Sequence, residues 1–383
     1  MQNIRQEKHT SSKITGEVVP DKVEISAQVD NSVDSQHLLD SHLAKAAEQQ
    51  YKIVILSKYD FGWRAKGDCG DCEISRNVSE IEHANTKAVV LSWNEKNIGQ
   101  LLKNRRSDQY YVWWTMEGPR HLRFGKNMTL KEYDGLFNLT MTYRRDADIY
   151  SPYDHISNIL WFVQNDGTGN ATKDLDELIR MKTNISVWIV SNCKGKKGAI
   201  TRWQYVLELR KAGLDVDGRG GCFHESDPIP HGDNKNTENF IKRYKFYMAF
   251  ENNLYCKDYI TEKLFRSLRA GTVPVVMGPN KTGYEAILPT HSFIHVDDFE
   301  SPAKLASYLQ YLDKNITAYT EYLWWRKSKM KNLPQSSRKY ALCQLCRILH
   351  GINIDNVYNT QYEQLYTHIP LFGYSKKQRI VNR

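Results

Sequence analysis

No stretch of this chain is apolar for long enough to cross a bilayer; its longest apolar runs, such as Val273–Met277, have the length of a buried strand. Residues 1–50 are mostly polar and lack the apolar core of a signal peptide, so neither an anchor nor a secretion signal is read in the sequence. The G-x-G-x-x-G and P-loop patterns are missing, which argues against classical dinucleotide or nucleoside-triphosphate binding. Internal repeats are missing as well. The formal charge is +9, yet there is no basic run, zinc-finger spacing or RNA-binding motif. No nucleic-acid partner is therefore expected, and the charge reads as a solvated basic surface or as a positive cleft for a diphosphate.

What is present points to a folded protein of two domains. At 383 residues and 40% hydrophobic composition the chain outgrows one ordinary core. Six sites fit the Asn-x-Ser/Thr glycosylation pattern: Asn77, Asn127, Asn138, Asn170, Asn184 and Asn315. Chance matches in a cytosolic protein are the alternative, but six beside seven cysteines favour a secretory lumen. Cys69/Cys72 and Cys343/Cys346 both have C-x-x-C spacing, which a four-cysteine zinc site would also use. The two pairs lie at opposite ends of a long folded region, so bridges joining the ends fit better. The uncrossed pairing Cys69–Cys343 with Cys72–Cys346 is favoured over the crossed one. Cys193 and Cys222 flank one strand-helix-strand unit and could form a third bridge, leaving Cys256 free.

The order of elements fits an α/β protein. Residues 1–50 read as a flexible stem, with a short helix around His37–Gln49. Strands are expected at Tyr51–Ser57, Lys87–Trp93, Gln109–Met116 and Phe137–Tyr143, separated by polar connections. The polar segment Asn165–Lys182 reads as a linker. Beyond it come a strand at Ile185–Ser191, a helix at Arg202–Ala212 stopped by Gly213, and a strand at Phe246–Phe250. A helix at Thr261–Arg269, strands at Thr272–Met277 and Phe293–Val296, and a helix at Pro302–Leu312 complete the series. The alternation implies mostly parallel sheets covered by helices, with ligands at the carboxyl ends of strands. The expected organisation is a stem over 1–50, an acceptor-side Rossmann-like domain over 51–170, a donor-binding one over 171–345, and a tail over 346–383 that returns towards the first.

The most informative segment is Tyr244-Lys-Phe-Tyr-Met-Ala-Phe-Glu-Asn-Asn-Leu-Tyr-Cys-Lys-Asp-Tyr-Ile-Thr-Glu-Lys-Leu-Phe, followed by Ala270-Gly-Thr-Val-Pro-Val-Val-Met-Gly-Pro279. A buried strand here delivers Glu251 and Asn252 to its carboxyl end, and a helix begins with Thr261, Glu262 and Lys263 in its first turn. Helix-start amides attract anions, and Lys263 adds a full charge. The bland account is an N-capped helix with a solvated Glu-Lys pair. A second segment, Trp113-Trp-Thr-Met-Glu-Gly-Pro-Arg-His, ends a strand at Glu117 before a Gly-Pro turn, so the carboxylate faces a cleft; a surface glutamate is the alternative.

Together these segments closely resemble the signature of the α1,3-fucosyltransferases, glycosyltransferase family 10. The resemblance runs from about Tyr51 to the Cys343/Cys346 region. It takes in Val190-Ser-Asn-Cys-Lys, Arg202, Asp215-Val-Asp-Gly, Ser292-Phe-Ile-His-Val-Asp-Asp-Phe, and Phe137-Asn-Leu-Thr-Met-Thr-Tyr-Arg-Arg-Asp-Ala-Asp-Ile-Tyr-Ser-Pro-Tyr. It implies a GT-B-like α/β fold, two Rossmann-like domains facing across a cleft, with GDP-β-L-fucose on the C-terminal one. It also implies donor-site roles for Ser191, Asn192, Arg202, Tyr247, Glu251, Asn252, Tyr259, Glu262 and Lys263, and a catalytic base at Glu117. Gly118 stands where many relatives have Ser, which leaves the base in place and bears on local acceptor contacts.

A β-linked donor giving an α-linked product means inversion in one displacement, with one base and no covalent nucleophile. Arg202 and Lys263 would neutralise the departing diphosphate, so no obligatory metal is expected and a divalent cation is at most stimulatory. Asp215-Val-Asp217 only superficially resembles a metal-binding Asp-x-Asp. His224, His231, His291 and His295 match no compact metal site. The Tyr322-Leu-Trp-Trp cluster reads as packing. The expected acceptor is a glycoprotein N-glycan, with the inner GlcNAc favoured because Cys193, Cys256 and Cys343-Gln-Leu-Cys346 look most like invertebrate core-type members. N-acetyllactosamine (Lewis-type) and LacdiNAc are the alternatives, and a non-catalytic sugar-nucleotide or glycan-binding protein is the reading from another class. The resemblance implies the Golgi lumen, where the family is normally anchored as type II membrane proteins.

Overall fold

The computed structural model describes residues 50–57, 69–92, 95, 98–119, 134–164, 171–193, 197–223, 234–327 and 337–352. All of these lie in one compact unit, His42–Arg383. The helix expected at His37–Gln49, the sequons at Asn127 and Asn170, and His224 and His231 fall outside the described residues.

Six strands form the first sheet: β1 Tyr51–Leu56, β2 Cys72–Ser75, β3 Thr86–Ser92, β4 Tyr110–Thr115, β5 Leu139–Thr142 and β6 Ile149–Tyr150. They run in the order β2-β1-β3-β4-β5-β6, every pair parallel. A parallel strand is buried on both faces, and β3 shows this directly. Ala88 and Val90 join the core under the helix Ser337–Leu349, while Val89 and Leu91 pack with Ile98 and Leu102 on the other face. The short strands β2 and β6 were not expected; four and two residues are too few for a period to show.

The second sheet holds β7 Asn184–Ile189, β8 Val216–Arg219, β9 Tyr244–Phe250, β10 Val273–Met277 and β11 Ile294–His295. Its order is β11-β10-β9-β7-β8, again parallel throughout. Pro274 is tolerated inside it because β11 pairs only with Val275 and Val276. The chain enters β8 from β7 on one side and builds β9, β10 and β11 on the other. The loops after β7 and β9 therefore diverge, which makes a topological switch point, the usual ligand crevice of such sheets.

Helices α1 Ile156–Gln164, α2 Ala171–Arg180, α3 Lys197–Lys211, α4 Asn234–Ile241, α5 Glu262–Arg269 and α6 Pro302–Lys314 accompany the second sheet, and α7 Ser337–Leu349 closes the first. The segment read as a linker is thus corrected: much of it is α2. Leu175, Leu178 and Ile179 share one helical face and pack into the second sheet's core, a stripe hidden among charged neighbours. Helix α3 begins five residues before the expected Arg202, and its early Gly198 has a packing reason described below. Trp325 is buried in a 3-10 turn, and Trp324 Nε1 donates to the Thr290 carbonyl at 3.3 Å, so the tryptophan pair serves packing.

Three disulfides tie the chain: Cys69–Cys343, Cys72–Cys346 and Cys193–Cys222. The first two fasten α7 to the amino-terminal end of β2, and Cys256 is in no disulfide and is half-buried. No helix among the described residues is long and apolar enough to cross a membrane.

Candidate active site

The site forms where the carboxyl ends of β4 and β9 meet. Strand β9 leaves the sheet at Phe250, and the next residues are held by close packing from three sides. A Cβ on Gly198 would come within 2.4 Å of the Asn252 carbonyl, and one on Gly118 within 2.7 Å of the Asn253 side chain. Glu251 N donates to the Met277 carbonyl at 2.8 Å, continuing the ladder one residue past β9. Only residues without side chains let α3 and the Glu117 turn approach this closely.

Glu251 is 1% exposed and does not present a free carboxylate to a ligand. It accepts from Thr261 N at 2.8 Å and from the Thr261 hydroxyl at 2.8–2.9 Å, and pairs with Lys263 Nζ at 3.4 Å. Lys263 Nζ also donates to Thr261 Oγ1 at 2.8 Å and to Glu262 Oε1 at 3.1 Å. Burial pushes the Glu251 carboxyl up against the opposing pull of Lys263. For Lys263 burial works against the ammonium, but the carboxylates of Glu251 and Glu262 outweigh it and raise its pKa. Glu262 is likewise opposed by burial, yet Lys263 holds it below the ordinary carboxylate range. The outcome is a locked cation at the start of α5, with Glu262 and Lys263 both partly exposed. Thr261 reads in the sequence only as a helix-start residue, and its bond to Glu251 is seen only in the structure. As N-cap it makes no side-chain capping bond, spending its hydroxyl on Glu251 instead.

Glu117 is half-buried beyond the end of β4, its N–H donating to Thr115 Oγ1 at 3.1 Å. The Tyr259 hydroxyl lies 3.0 Å from Asn252 Oδ1 and 3.5 Å from Glu117 Oε2, bridging the two sheets' ends. Burial raises the Tyr259 pKa, and the charges of Glu251 and Glu117 add to it, so the phenol stays protonated and able to donate. Tyr153 stacks edge-on against Tyr259 and donates its hydroxyl to the Met116 carbonyl, beside Glu117.

Ser191 and Asn192 are exposed just past β7, at the switch point. Arg202 is only 3% exposed. It donates to the Phe250 carbonyl at 3.1 Å and the Asn192 carbonyl at 2.6 Å, binding the ends of β7 and β9 together rather than lying open to a ligand. Tyr247 is 1% exposed in the core beneath α5, so it floors the site without lining it. Asp217 is engaged by the Arg219 guanidinium at 2.9 Å and by the Tyr244 hydroxyl. His295 is buried with Nε2 at 3.0 Å from the Pro279 carbonyl, and His291 stacks on Tyr322. Among the described residues, the one cluster with metal-ligand spacing is Cys72, Cys346 and His350, whose two sulfurs are already joined.

Two parallel sheets thus meet at their carboxyl ends, with a carboxylate on one side and a locked cation on the other, an α/β arrangement whose crevice lies where such sheets bind ligands. A family model described as "Glycosyltransferase family 10 (fucosyltransferase) C-term" matches residues 179–367, and one described as "Fucosyltransferase, N-terminal" matches residues 48–154. The chain belongs to this family of fucosyltransferases and is an enzyme. A 4-galactosyl-N-acetylglucosaminide 3-alpha-L-fucosyltransferase of Gorilla gorilla gorilla is 39% identical over 72% of this chain and 67% of its own. One of Homo sapiens is 43% identical over 63% of this chain and 60% of its own. A 3-galactosyl-N-acetylglucosaminide 4-alpha-L-fucosyltransferase of Bos taurus is 38% identical over 72% and 69%. The match thus spans about three fifths to two thirds of these relatives. A crystal structure of an alpha1,3-fucosyltransferase with GDP-fucose superposes with a TM-score of 0.51 at 15% identity, covering 82% of this chain and 97% of that one, a likeness of fold.

Proposed function

We propose that the enzyme transfers L-fucose from GDP-β-L-fucose to the O3 of a GlcNAc residue, with inversion, and that Glu117 is the base. The observation that carries this reading is the 3.5 Å approach of the Glu117 carboxylate to a phenol that also contacts Asn252, so that a base adjoins the donor-side crevice. In the displacement, the acceptor oxygen bonds to the anomeric carbon as the bond to the GDP oxygen breaks, and Glu117 takes the hydroxyl proton. One face is attacked and the opposite face departs, so a β-linked donor yields an α-linked product without an enzyme nucleophile. Charge accumulates on the leaving diphosphate, where Lys263 and the first amides of α5 stabilise it. Ser191, Asn192 and Asn252 line the nucleotide crevice. Arg202 supports it from below, fixing the two loops that carry those residues. The pre-positioned ammonium supplies the charge that a metal would supply, so we read the reaction as needing none.

Three relatives named for galactosyl-N-acetylglucosaminide acceptors support a galactosylated GlcNAc as the substrate. The inner GlcNAc of an N-glycan is the second reading, supported by the cysteine pattern around Cys193, Cys256 and Cys343-Gln-Leu-Cys346. The test is GDP-fucose with N-glycans that carry or lack terminal galactose, the products resolved by linkage. Fucose on O3 of the galactosylated GlcNAc supports the first reading and fucose on the inner GlcNAc the second; no transfer to either refutes both. We also read the chain as lumenal and of the Golgi, because bridged cysteines need an oxidising compartment. Endoglycosidase treatment of the cell-made protein checks this, and an unshifted mass at every sequon would count against it.

A further inference from the structure

The Tyr143-Arg144-Arg145-Asp146 turn after β5 has no part in the chemistry described so far, yet it touches the donor side. Arg145 meets Asp258, 113 residues away in the turn that carries Tyr259. Its Nε donates to Asp258 Oδ1 at 2.9 Å, its terminal nitrogen lies 2.8 Å from the same oxygen, and its backbone N–H donates to Oδ2 at 3.2 Å. Both carboxylate oxygens are thus held by one residue, and the Asp258 side chain is 3% exposed, so solvent screens this pair little. Beside it, Tyr143 packs edge-on against Tyr259 with ring centres 5.0 Å apart. At the rim, Lys257 reaches Asp146 at 2.9 Å.

The turn being held has its own backbone bonds, Tyr259 N to the Cys256 carbonyl at 3.1 Å and Ile260 N to the Asp258 carbonyl at 2.9 Å, but two of its residues lie outside the ordinary backbone regions. Tyr255 (φ 61°) and Asp258 (φ 59°) are both left-handed, a conformation strained for tyrosine and tolerated better by aspartate. A turn of this kind is steadied by what its surroundings bond to. Asp258 is fixed by Arg145, and the next residue is the phenol that spans Asn252 and Glu117. We propose that Arg145 and Asp258 are a positioning pair: by fixing the left-handed turn they set the Tyr259 hydroxyl, and through it the Glu117 carboxylate, against the donor crevice. Neither residue touches substrate in this scheme. The pair spans the two sheets' loops, so its strength sets how firmly base and donor side are kept in register. This inference rests on Glu117 being the base.

The test is steady-state kinetics, with GDP-fucose and a galactosylated GlcNAc acceptor, on Arg145→Ala, Tyr259→Phe, their combination, Arg145→Lys and Glu117→Gln. Arg145→Ala is expected to lower kcat about tenfold, since a misplacement of around 1 Å can cost up to about a hundredfold, with little change in acceptor KM. The double variant should be no slower than the slower single one to within about twofold, because both act along one path. Arg145→Lys, which keeps one ionic contact, should recover part of the loss; a role in folding alone would lower the melting temperature and leave kcat per folded molecule intact. Wild-type kcat in Arg145→Ala, or losses in kcat that multiply in the double variant, overturns the pair. Where Arg145→Ala does not fold, Asp258→Asn reads the same link, with the same outcomes expected. Glu117→Gln separates the two levels. Turnover retained there removes the base and this inference with it, whereas turnover lost there but kept in Arg145→Ala removes the positioning pair alone.

Discussion

The paired bridges between α7 and the start of the first sheet make an unequal-cost prediction. Cys69–Cys343 and Cys72–Cys346 each close a sequence separation of 274 residues. In the chain-entropy model, closing a loop of that length once stabilises the fold by roughly 5–6 kcal/mol. With either bridge in place, however, the other closes only a small ring through Cys69–Cys72 and Cys343–Cys346, about eight residues, worth roughly 2–3 kcal/mol. Removing one bridge by Cys→Ala at both ends should therefore cost about 2–3 kcal/mol, whichever is chosen. The fully buried Cys72–Cys346 pair should add about 1 kcal/mol for the space left behind. Removing both should cost roughly 8 kcal/mol, more than the two single losses combined. Denaturant midpoints and slopes of the three variants together give these numbers, the slope rising as the unfolded chain loses its cross-links. Single removals that each cost 5 kcal/mol or more, or a double removal equal to the sum of the singles, would refute the shared-loop argument. Activity should follow stability, because Gln344 on α7 donates to the Tyr150 carbonyl at 3.2 Å at the end of β6, three residues before Tyr153 reaches the backbone beside Glu117.

Glu117→Gln should cut kcat by about a hundredfold or more while leaving GDP affinity measured by calorimetry nearly unchanged; near-normal turnover removes the base. Lys263→Ala should weaken GDP binding and slow transfer, and should also lower the melting temperature, since it leaves Glu251 buried without its cation; wild-type GDP affinity would place the diphosphate elsewhere. Burial depresses the His155 pKa from 6.5 to about 4, although Asp154 opposes it. On acidification the unfolded chain takes up this proton first, so stability is full above about pH 6.5 and falls as pH drops towards 4. His155→Gln should flatten melting temperature against pH across that window, and an unchanged slope would show that other groups govern it. Dialysis against EDTA should leave transfer in place; complete loss restored by one divalent ion would show that the Lys263 charge does not suffice.

Some of this was legible in the sequence because it depends on short-range pattern. The runs Ile53–Leu56, Ala88–Leu91 and Val273–Met277 are apolar without alternation, as strands buried on both faces must be. Tyr244–Phe250 followed by Glu251 and Asn252 marks a strand that ends in polar groups, and Thr261-Glu-Lys263 marks a helix start. The charged helix α2 was misread as a linker because its stripe of Leu175, Leu178 and Ile179 becomes meaningful only with a core to receive it. The roles of individual side chains were decided by tertiary structure alone. Residue type suggests that Arg202 and Glu251 face a ligand, but burial leaves each needing partners, and they found them in two carbonyls and in Thr261. Glu117 and Tyr259 are 142 residues apart, and no local period could bring them together. Local sequence sets which segments become strands and helices because those patterns repeat within a few residues. Where a charge ends up is set by packing between segments: the locked cation needs only β9 and the start of α5, whereas the Glu117–Tyr259 approach and the Arg145–Asp258 pair exist only once both sheets have formed.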